Sequence, residues 1–318
     1  MRLAILGATS QIAKDLTQSF AKSSKHCLAL FARRPEAVVT WLNSLGIDQK
    51  WDVAGYESFS ASQNFDVVIN FIGVGNPVQT AVIGASIFDI TLQYDELVLR
   101  YLKEHPSCRY IFLSSGAAYS STFDEPATKN TVARIPINNL QPQDWYGVAK
   151  LYAECRHRAL ANLAIVDIRV FNYFSHTQDM EAQFMITDIV RAIRDKVVLN
   201  TSPDYMVRDF IGPDDFYRLV NAILSSPATN DVVDCYTKAP IDKPSLLAAM
   251  QAKFGLKYKI VESAACVNAT GSKPHYYSLN QWASNFGYRP ALTSLEGVLG
   301  EASAMFKYQT SKTIKGRN

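Results

Sequence analysis

Apolar residues in the first half of this chain fall in short, nearly unbroken runs, separated by longer stretches with helical spacing. Leu3-Ala4-Ile5-Leu6 is the first run and His26-Cys27-Leu28-Ala29-Leu30-Phe31-Ala32 the second. Phe65-Asp66-Val67-Val68-Ile69-Asn70-Phe71-Ile72-Gly73 is the third, and Arg109-Tyr110-Ile111-Phe112-Leu113-Ser114-Ser115-Gly116 the fourth. Runs of this kind predict strands buried on both faces. Helical patterns lie between them: from Ala13 through Phe20, over 35–45, and over 85–104, where Ile87, Ile90, Leu92, Leu97, Leu99 and Leu102 keep one face apolar and Pro106 marks the stop. Residues 143–154 are nearly all good or acceptable helix formers. Strands alternating with helices through residue 170 predict an α/β fold with a doubly wound parallel sheet. The fourth run turns polar at its C-terminal end, where such sheets bind ligands. The sequence shows no internal repeat, and residues 311–318 read as a frayed terminus.

Composition fits that picture. The chain has 318 residues, 48% of them apolar and 19% charged, enough for one large domain or two modest ones. A net charge of +3 with both signs mixed argues against a nucleic-acid partner, which needs a clustered basic face. Cys27, Cys108, Cys155, Cys235 and Cys266 are odd in number and include no C-x-x-C pair. Neither a disulfide framework nor a metal site is expected from them, and a reducing compartment fits. No apolar run approaches the ~20 residues of a membrane helix, and Met1-Arg2 leads straight into the first strand. A cytoplasmic protein with no membrane association is expected.

Candidate chemistry begins at the first turn. A strand, a tight turn and a helix start at Gly7-Ala8-Thr9-Ser10-Gln11-Ile12-Ala13 form a phosphate site, because free N–H groups and the helix dipole both favour an anion. Gly7, Thr9, Ser10, Gln11 and Ile12, with Phe71 and Gly73 closing the third run, are the expected cofactor-binding residues of a dinucleotide-binding βαβ unit. Arg33-Arg34 follow the second run, and the nearest acid is Glu36. An acid there binds the ribose 2′-hydroxyl of NAD, whereas arginine accommodates a 2′-phosphate, so NADP(H) is expected ahead of NAD(H). Tyr146 and Lys150 stand four apart on one helix face. An ammonium close by pulls a phenol from its usual pKa near ~10 toward neutrality, where it can exchange a proton with a carbonyl or alcohol oxygen. Tyrosine and lysine are common, so the pair acquires meaning from its surroundings.

Those surroundings resemble the extended short-chain dehydrogenase/reductases, the nucleotide-sugar epimerase, dehydratase and reductase group. The resemblance runs over nearly the whole chain through Gly7-Ala8-Thr9, Asp66-Val67-Val68-Ile69-Asn70, Ser114-Ser115-Gly116-Ala117-Ala118-Tyr119 and Tyr146 with Lys150. It continues through Arg169-Val170-Phe171-Asn172, Arg208-Asp209-Phe210-Ile211 with Asp214-Asp215, and Phe286-Gly287-Tyr288-Arg289-Pro290. It implies a Rossmann domain over residues 1–171, completed by a segment near 208–236, with a smaller, mainly substrate-binding domain over 172–318. It implies that Ser115 holds the substrate oxygen, that Tyr146 transfers the proton, and that Lys150 tunes Tyr146 and binds the nicotinamide ribose. Asn172 and Arg208 match positions that contact a nucleotide-sugar diphosphate. Lys273, in Ser272-Lys273-Pro274-His275, stands where the family has an arginine, and gives up the bidentate fork.

Departures select the reaction. The usual G-x-x-G-x-x-G turn is here Gly7, Ser10 and Ala13. Dehydratases of the family follow the catalytic hydroxyl with Asp-Glu; Gly116 and Ala117 stand there and move no proton, which argues against a 4,6-dehydratase. Tyr173-Phe174-Ser175-His176 replaces the family's Tyr-Gly-Pro, with His176 read as a loop histidine, and Asp89 stands where an asparagine is frequent. The expectation is an NADPH-dependent reductase of a nucleotide-linked keto-sugar, such as a 4-keto-6-deoxyhexose. The alternatives are an NAD-dependent nucleotide-sugar 4-epimerase and a non-catalytic cofactor sensor. The resemblance also implies a homodimer through the helix bearing Tyr146, with Leu151, Tyr152 and Cys155 as candidate contacts.

Overall fold

The computed structural model describes residues 1–23, 25–47, 51–73, 77–262 and 273–315. Cys266 and Ser272 lie outside these residues, as do the last three of the chain. The first part runs β1 (Arg2–Leu6), α1 (Gln11–Ser23), β2 (Cys27–Phe31), α2 (Pro35–Ser44), β3 (Asp52–Ala54), β4 (Val67–Asn70), α3 (Pro77–Ile83), α4 (Ser86–Glu104), β5 (Arg109–Ser115), α5 (Pro142–Ala159) and β6 (Ile165–Val170). Then follow β7 (Asn172–Tyr173), α6 (Met185–Asp195), β8 (Val198–Thr201), β9 (Val207–Arg208), β10 (Phe210–Ile211), α7 (Pro213–Ser225) and β11 (Asp231–Asp234). The chain closes with β12 (Ile241–Asp242), α8 (Lys243–Phe254), β13 (Lys257–Ile260), β14 (His275–Tyr276) and α9 (Ser294–Lys315). The terminus expected to fray is thus helical in its backbone as far as Lys315.

Seven strands in the order β11-β6-β5-β4-β1-β2-β3, every pair parallel, make the central sheet. The apolar runs are continuous because both faces are covered. Leu3, Ile5, Leu28, Leu30, Val67 and Ile69 meet Leu16 and Phe20 of α1, Val38 and Leu42 of α2, and Phe216, Leu219 and Val220 of α7. Their neighbours Ala4, Leu6, Ala29, Phe31, Val68, Tyr110 and Phe112 meet Val98, Leu99 and Leu102 of α4 and Ala153 of α5. A separate apolar cluster joins α6, α8 and α9 around Phe174 and Phe210. The motif Phe286-Gly287-Tyr288 is structural: Gly287 takes φ +84°, and the buried Tyr288 hydroxyl donates to the Tyr236 carbonyl at 2.8 Å.

The α4/α5 face of the sheet carries an ionic cluster whose centre is buried. His157 of α5 is fully buried between Asp95 of α4, 2.7 Å from Nε2, and Asp167 of β6, 2.6 Å from Nδ1. Arg156 and Arg158 pair with the remaining carboxylate oxygens at 2.8 and 2.9 Å. Tyr110 donates to Asp95 at 3.1 Å and accepts from Asn70 at 3.0 Å. Burial alone opposes charge on His157, but the two carboxylates win and hold its pKa at about 9. Among the described residues no helix is long and apolar enough to cross a membrane, and no His, Cys, Asp or Glu cluster is placed to hold a metal.

The raised His157 pKa fixes the sign of a stability change. Its contribution is complete below the ordinary histidine value of 6.5 and is lost as pH rises through about 9. Thermal melts of wild type and His157→Gln are expected to differ by roughly 3–5 kcal/mol at the low end of that window, as for a broken buried pair. The difference should shrink as pH rises through it; a constant gap would refute a charged His157.

Candidate active site

A cavity of about 1210 Å³ opens at the carboxyl ends of the central strands, where the strand order reverses beside β1. At one end lies the turn after β1. Gly7 takes φ +80°, and a Cβ on it would stand 2.9 Å from the Phe71 carbonyl carbon, so only glycine fits. Ser10, the departure from the glycine pattern, serves as helix cap: its Oγ accepts from Ala13 N–H at 3.3 Å. Thr9, Gln11 and Ile12 line the cavity with it. Gln11 also reaches across, donating to Ser175 Oγ at 2.8 Å. Farther along the wall stand Lys14, its ammonium 5.5 Å from the Trp41 ring centre, and the exposed Arg33. Of the expected arginine pair, Arg33 faces the cavity, while Arg34 sits at the start of α2 and does not line it.

At the other end the three candidate catalytic side chains converge. Ser115 closes β5, and its Oγ accepts from Ala117 N–H at 3.2 Å. α5 begins with Pro142 at its first turn and a capping box in which Gln141 N–H donates to Asp144 at 2.8 Å. That helix approaches the serine turn closely because of Gly147, whose added Cβ would stand 2.4 Å from the Ala117 carbonyl oxygen. The approach brings the Tyr146 phenol to the Ser115 side of the cavity, where both side chains line it. Gly116 is equally constrained, since a Cβ there would fall 2.4 Å from the Phe171 ring.

Lys150 is buried beneath them. Its Nζ donates to the Leu113 carbonyl at 2.8 Å, lies 4.4 Å from the Phe112 ring centre, and occupies space that a side chain at Gly73 would contest. Burial lowers its pKa to about 8, against the pull of Asp95, Glu154 and Asp167. One expectation is corrected here. Tyr146 lies above the ordinary tyrosine pKa, raised by burial, and the hydrogen bond from Ser115 is what draws it down. The Lys150 ammonium, 5.9 Å from the Tyr146 ring centre and engaged with Leu113, does not bring it toward neutrality.

Asn172, Arg208 and Lys273 all line the cavity, yet two of them also build its wall. The Asn172 amide donates to the Tyr276 carbonyl at 3.0 Å. Arg208 Nη1 donates to the Lys273 and Val207 carbonyls at 2.6 and 2.8 Å. Lys273 is buried, with its pKa lowered to about 8 by burial and by the Arg208 charge, and its ammonium lies 4.6 Å from the Tyr276 ring centre. Tyr276, unmarked in the sequence, places its hydroxyl 3.2 Å from Ser115 Oγ. His176 turns away from the cavity to Glu301 at 2.7 Å, and Asp89 is exposed outside it. On the outer side of α5, Tyr152 and Cys155 are exposed and Leu151 is partly buried.

A search of curated proteins by sequence found no match. Solved structures match over nearly the whole chain. UDP-glucuronic acid 4-epimerase from Bacillus cereus, in complex with UDP-glucuronic acid and NAD, is 17% identical with a TM-score of 0.77, covering 97% of this chain and 100% of that one. UDP-glucose 4-epimerase from Bifidobacterium longum, in complex with NAD+ and UDP, is 18% identical with a TM-score of 0.75, covering 97% and 98%. dTDP-glucose 4,6-dehydratase from Bacillus anthracis, in complex with NAD, is 16% identical with a TM-score of 0.75, covering 97% of each chain. At these identities the likeness is one of fold. The model of the NAD dependent epimerase/dehydratase family matches residues 3–236, most of the chain and the stretch holding Gly7, Ser115, Tyr146, Lys150 and Arg208: the chain belongs to that family.

Proposed function

We propose that the protein interconverts carbinol and ketone on the sugar of a nucleotide-sugar, as a 4-epimerase. The observation carrying this is Ser115, Tyr146 and a buried Lys150 lining one end of a cavity whose other end is a phosphate-binding turn. At about 1210 Å³ the cavity exceeds the roughly 300–1,000 Å³ of single-ligand pockets, so a dinucleotide and a second nucleotide fit together. The residues present suit a nicotinamide dinucleotide: Gly7 leaves the room, the first turn of α1 offers N–H groups, and Gly73 clears the space beside Lys150. Bound there, the dinucleotide supplies the hydride acceptor and donor.

Ser115 would donate to the substrate oxygen while Tyr146 takes and returns its proton. Lys150, held protonated near neutral pH by the carboxylates below it, would bind ribose hydroxyls. Gly116 and Ala117 exchange no proton, and the Phe171 ring fills the space an acid at 116 would need, so elimination has no agent. The reductase expected at first gives way to its alternative because the similar structures include 4-epimerases holding NAD. In this reading residues 172–318 mainly shape the substrate side, and α4 with α5 offers the surface for a homodimer.

A second reading, the NADPH-dependent keto-sugar reductase, is favoured by Arg33 and Lys14 on the cavity wall. Two assays separate the readings. An epimerase is expected to purify with bound NAD and convert UDP-sugars with no net change at the nicotinamide absorbance band; a reductase would consume NADPH stoichiometrically. In either case Tyr146→Phe is expected to lower kcat by about 10²–10⁴ while nucleotide-sugar binding persists, and unchanged turnover would remove the enzymatic reading. Arg33→Ala is expected to weaken NADPH by ~1–3 kcal/mol and leave NADH nearly untouched, measured by fluorescence titration. Equal effects would end the case for a 2′-phosphate.

A further inference from the structure

We infer that Tyr276 is a positioning residue for this reaction: its phenol donates to Ser115 and so turns the single serine proton away from itself, toward Tyr146 in the free enzyme and toward the substrate oxygen once substrate is bound. The inference rests on the functional reading above and deepens it.

A serine hydroxyl has one proton and two lone pairs. The Ala117 N–H takes one lone pair of Ser115 at 3.2 Å. Two phenols face what is left: Tyr276, bonded at 3.2 Å, and Tyr146, which lines the same end of the cavity and whose pKa Ser115 draws down. With one lone pair and one proton left, Ser115 can serve both only by accepting from one phenol and donating to the other. The charges around the two rings decide which. Tyr276 is faced by Lys273, 4.6 Å from its ring centre, and by Arg208 of β9 at 6.0 Å. Tyr146 is faced by Lys150, 5.9 Å from its ring centre and already bonded to Leu113, and shares a small recess with Lys273 and Asp144. Cations held against a phenol strengthen its O–H as a donor. Burial keeps Tyr276 protonated at any working pH, so the proton is there to donate. The chain of donation therefore runs from Tyr276 to Ser115 to Tyr146. No proton changes owner; each hydrogen bond only acquires a direction.

The placement is rigid enough for this task. Phe123 and Phe171 clamp the Tyr276 ring at 4.9 and 5.2 Å between centres. Asn172 fixes its carbonyl, Arg208 fixes the carbonyl of Lys273, and β14 lies in parallel register with β9, Tyr276 opposite Arg208. Asn172 and Arg208 thereby act on Ser115 through Tyr276, whatever else they bind.

Tyr276→Phe keeps the ring, its aromatic neighbours and its cation contacts, and removes only the donor. The expected result is a fall in kcat of about tenfold to hundredfold with KM within about twofold, and an activity limb moved about one pH unit higher, because Tyr146 loses the donation that favours its phenolate. A fall in kcat with no movement of the pH limb would overturn the inference. Ser115→Ala removes the bridge, so adding Tyr276→Phe to it should cost nothing further; additive losses would also overturn it. A third readout needs no substrate. With tyrosine labelled at Cζ, the NMR resonance of Tyr146, identified by its loss in Tyr146→Phe, should titrate at higher pH in Tyr276→Phe than in wild type. Should nucleotide-sugars fail as substrates while that titration shifts, the 4-epimerase reading falls and the hydrogen-bond direction stands. An unmoved titration sinks the inference alone.

Discussion

The structure depends on keeping one ammonium charged away from water. Lys150 is buried beneath Ser115 and Tyr146, and burial works against its charge. Asp95, Glu154 and Asp167 oppose that penalty from the layer below. None of the three is left bare: His157 and Arg156 neutralise Asp95, Arg158 shares Asp167, and Arg169 grips Glu154 while Ser114 donates to it at 2.5 Å. Charges buried in this way are costly unless every partner is present. The α4/α5 face of the sheet is therefore both a fastening of the fold and the electrostatic support of the site.

Close approaches turn that support into geometry. Gly147 lets α5 lie against the turn after β5, Gly73 leaves the volume that the Lys150 ammonium fills, and Gly7 lets the first turn pass over the end of β4. The contacts at Gly147 and Gly7 are to backbone at 2.4 and 2.9 Å, so neither can relax cheaply around an added methyl group. Helix packing and catalytic distance are thus one constraint. The same economy appears at Ser10, where the residue that displaces a glycine caps the helix with its hydroxyl.

How much of this was legible in the sequence follows from how local each signal is. Four of the seven strands of the sheet could be read because a run such as Val67-Val68-Ile69 has no polar face to hide. Ser115, Tyr146 and Lys150 could be read because each lies in a short stretch of characteristic spacing. What escaped was set by tertiary neighbours. Nothing near Tyr276 in the chain announces that β14 will lie beside β9 and carry its hydroxyl to Ser115. The tuning of Tyr146 was assigned to the lysine one helical turn away, yet burial raises its pKa and Ser115 of β5 is what draws it down. Arg33 and Arg34 look alike in sequence, and the entry into α2 separates them.

The Phe171 ring against Gly116 has a consequence for how this scaffold can change. The ring stacks in a cluster with Tyr119, Phe123 and Tyr276, so it cannot swing aside for a carboxylate without disturbing the residue that orients Ser115. Acquiring water elimination would demand that an aromatic be shaved and an acid installed together, with either step alone harmful. An aromatic wedge of that kind acts as an evolutionary ratchet against acquiring a carboxylate at position 116.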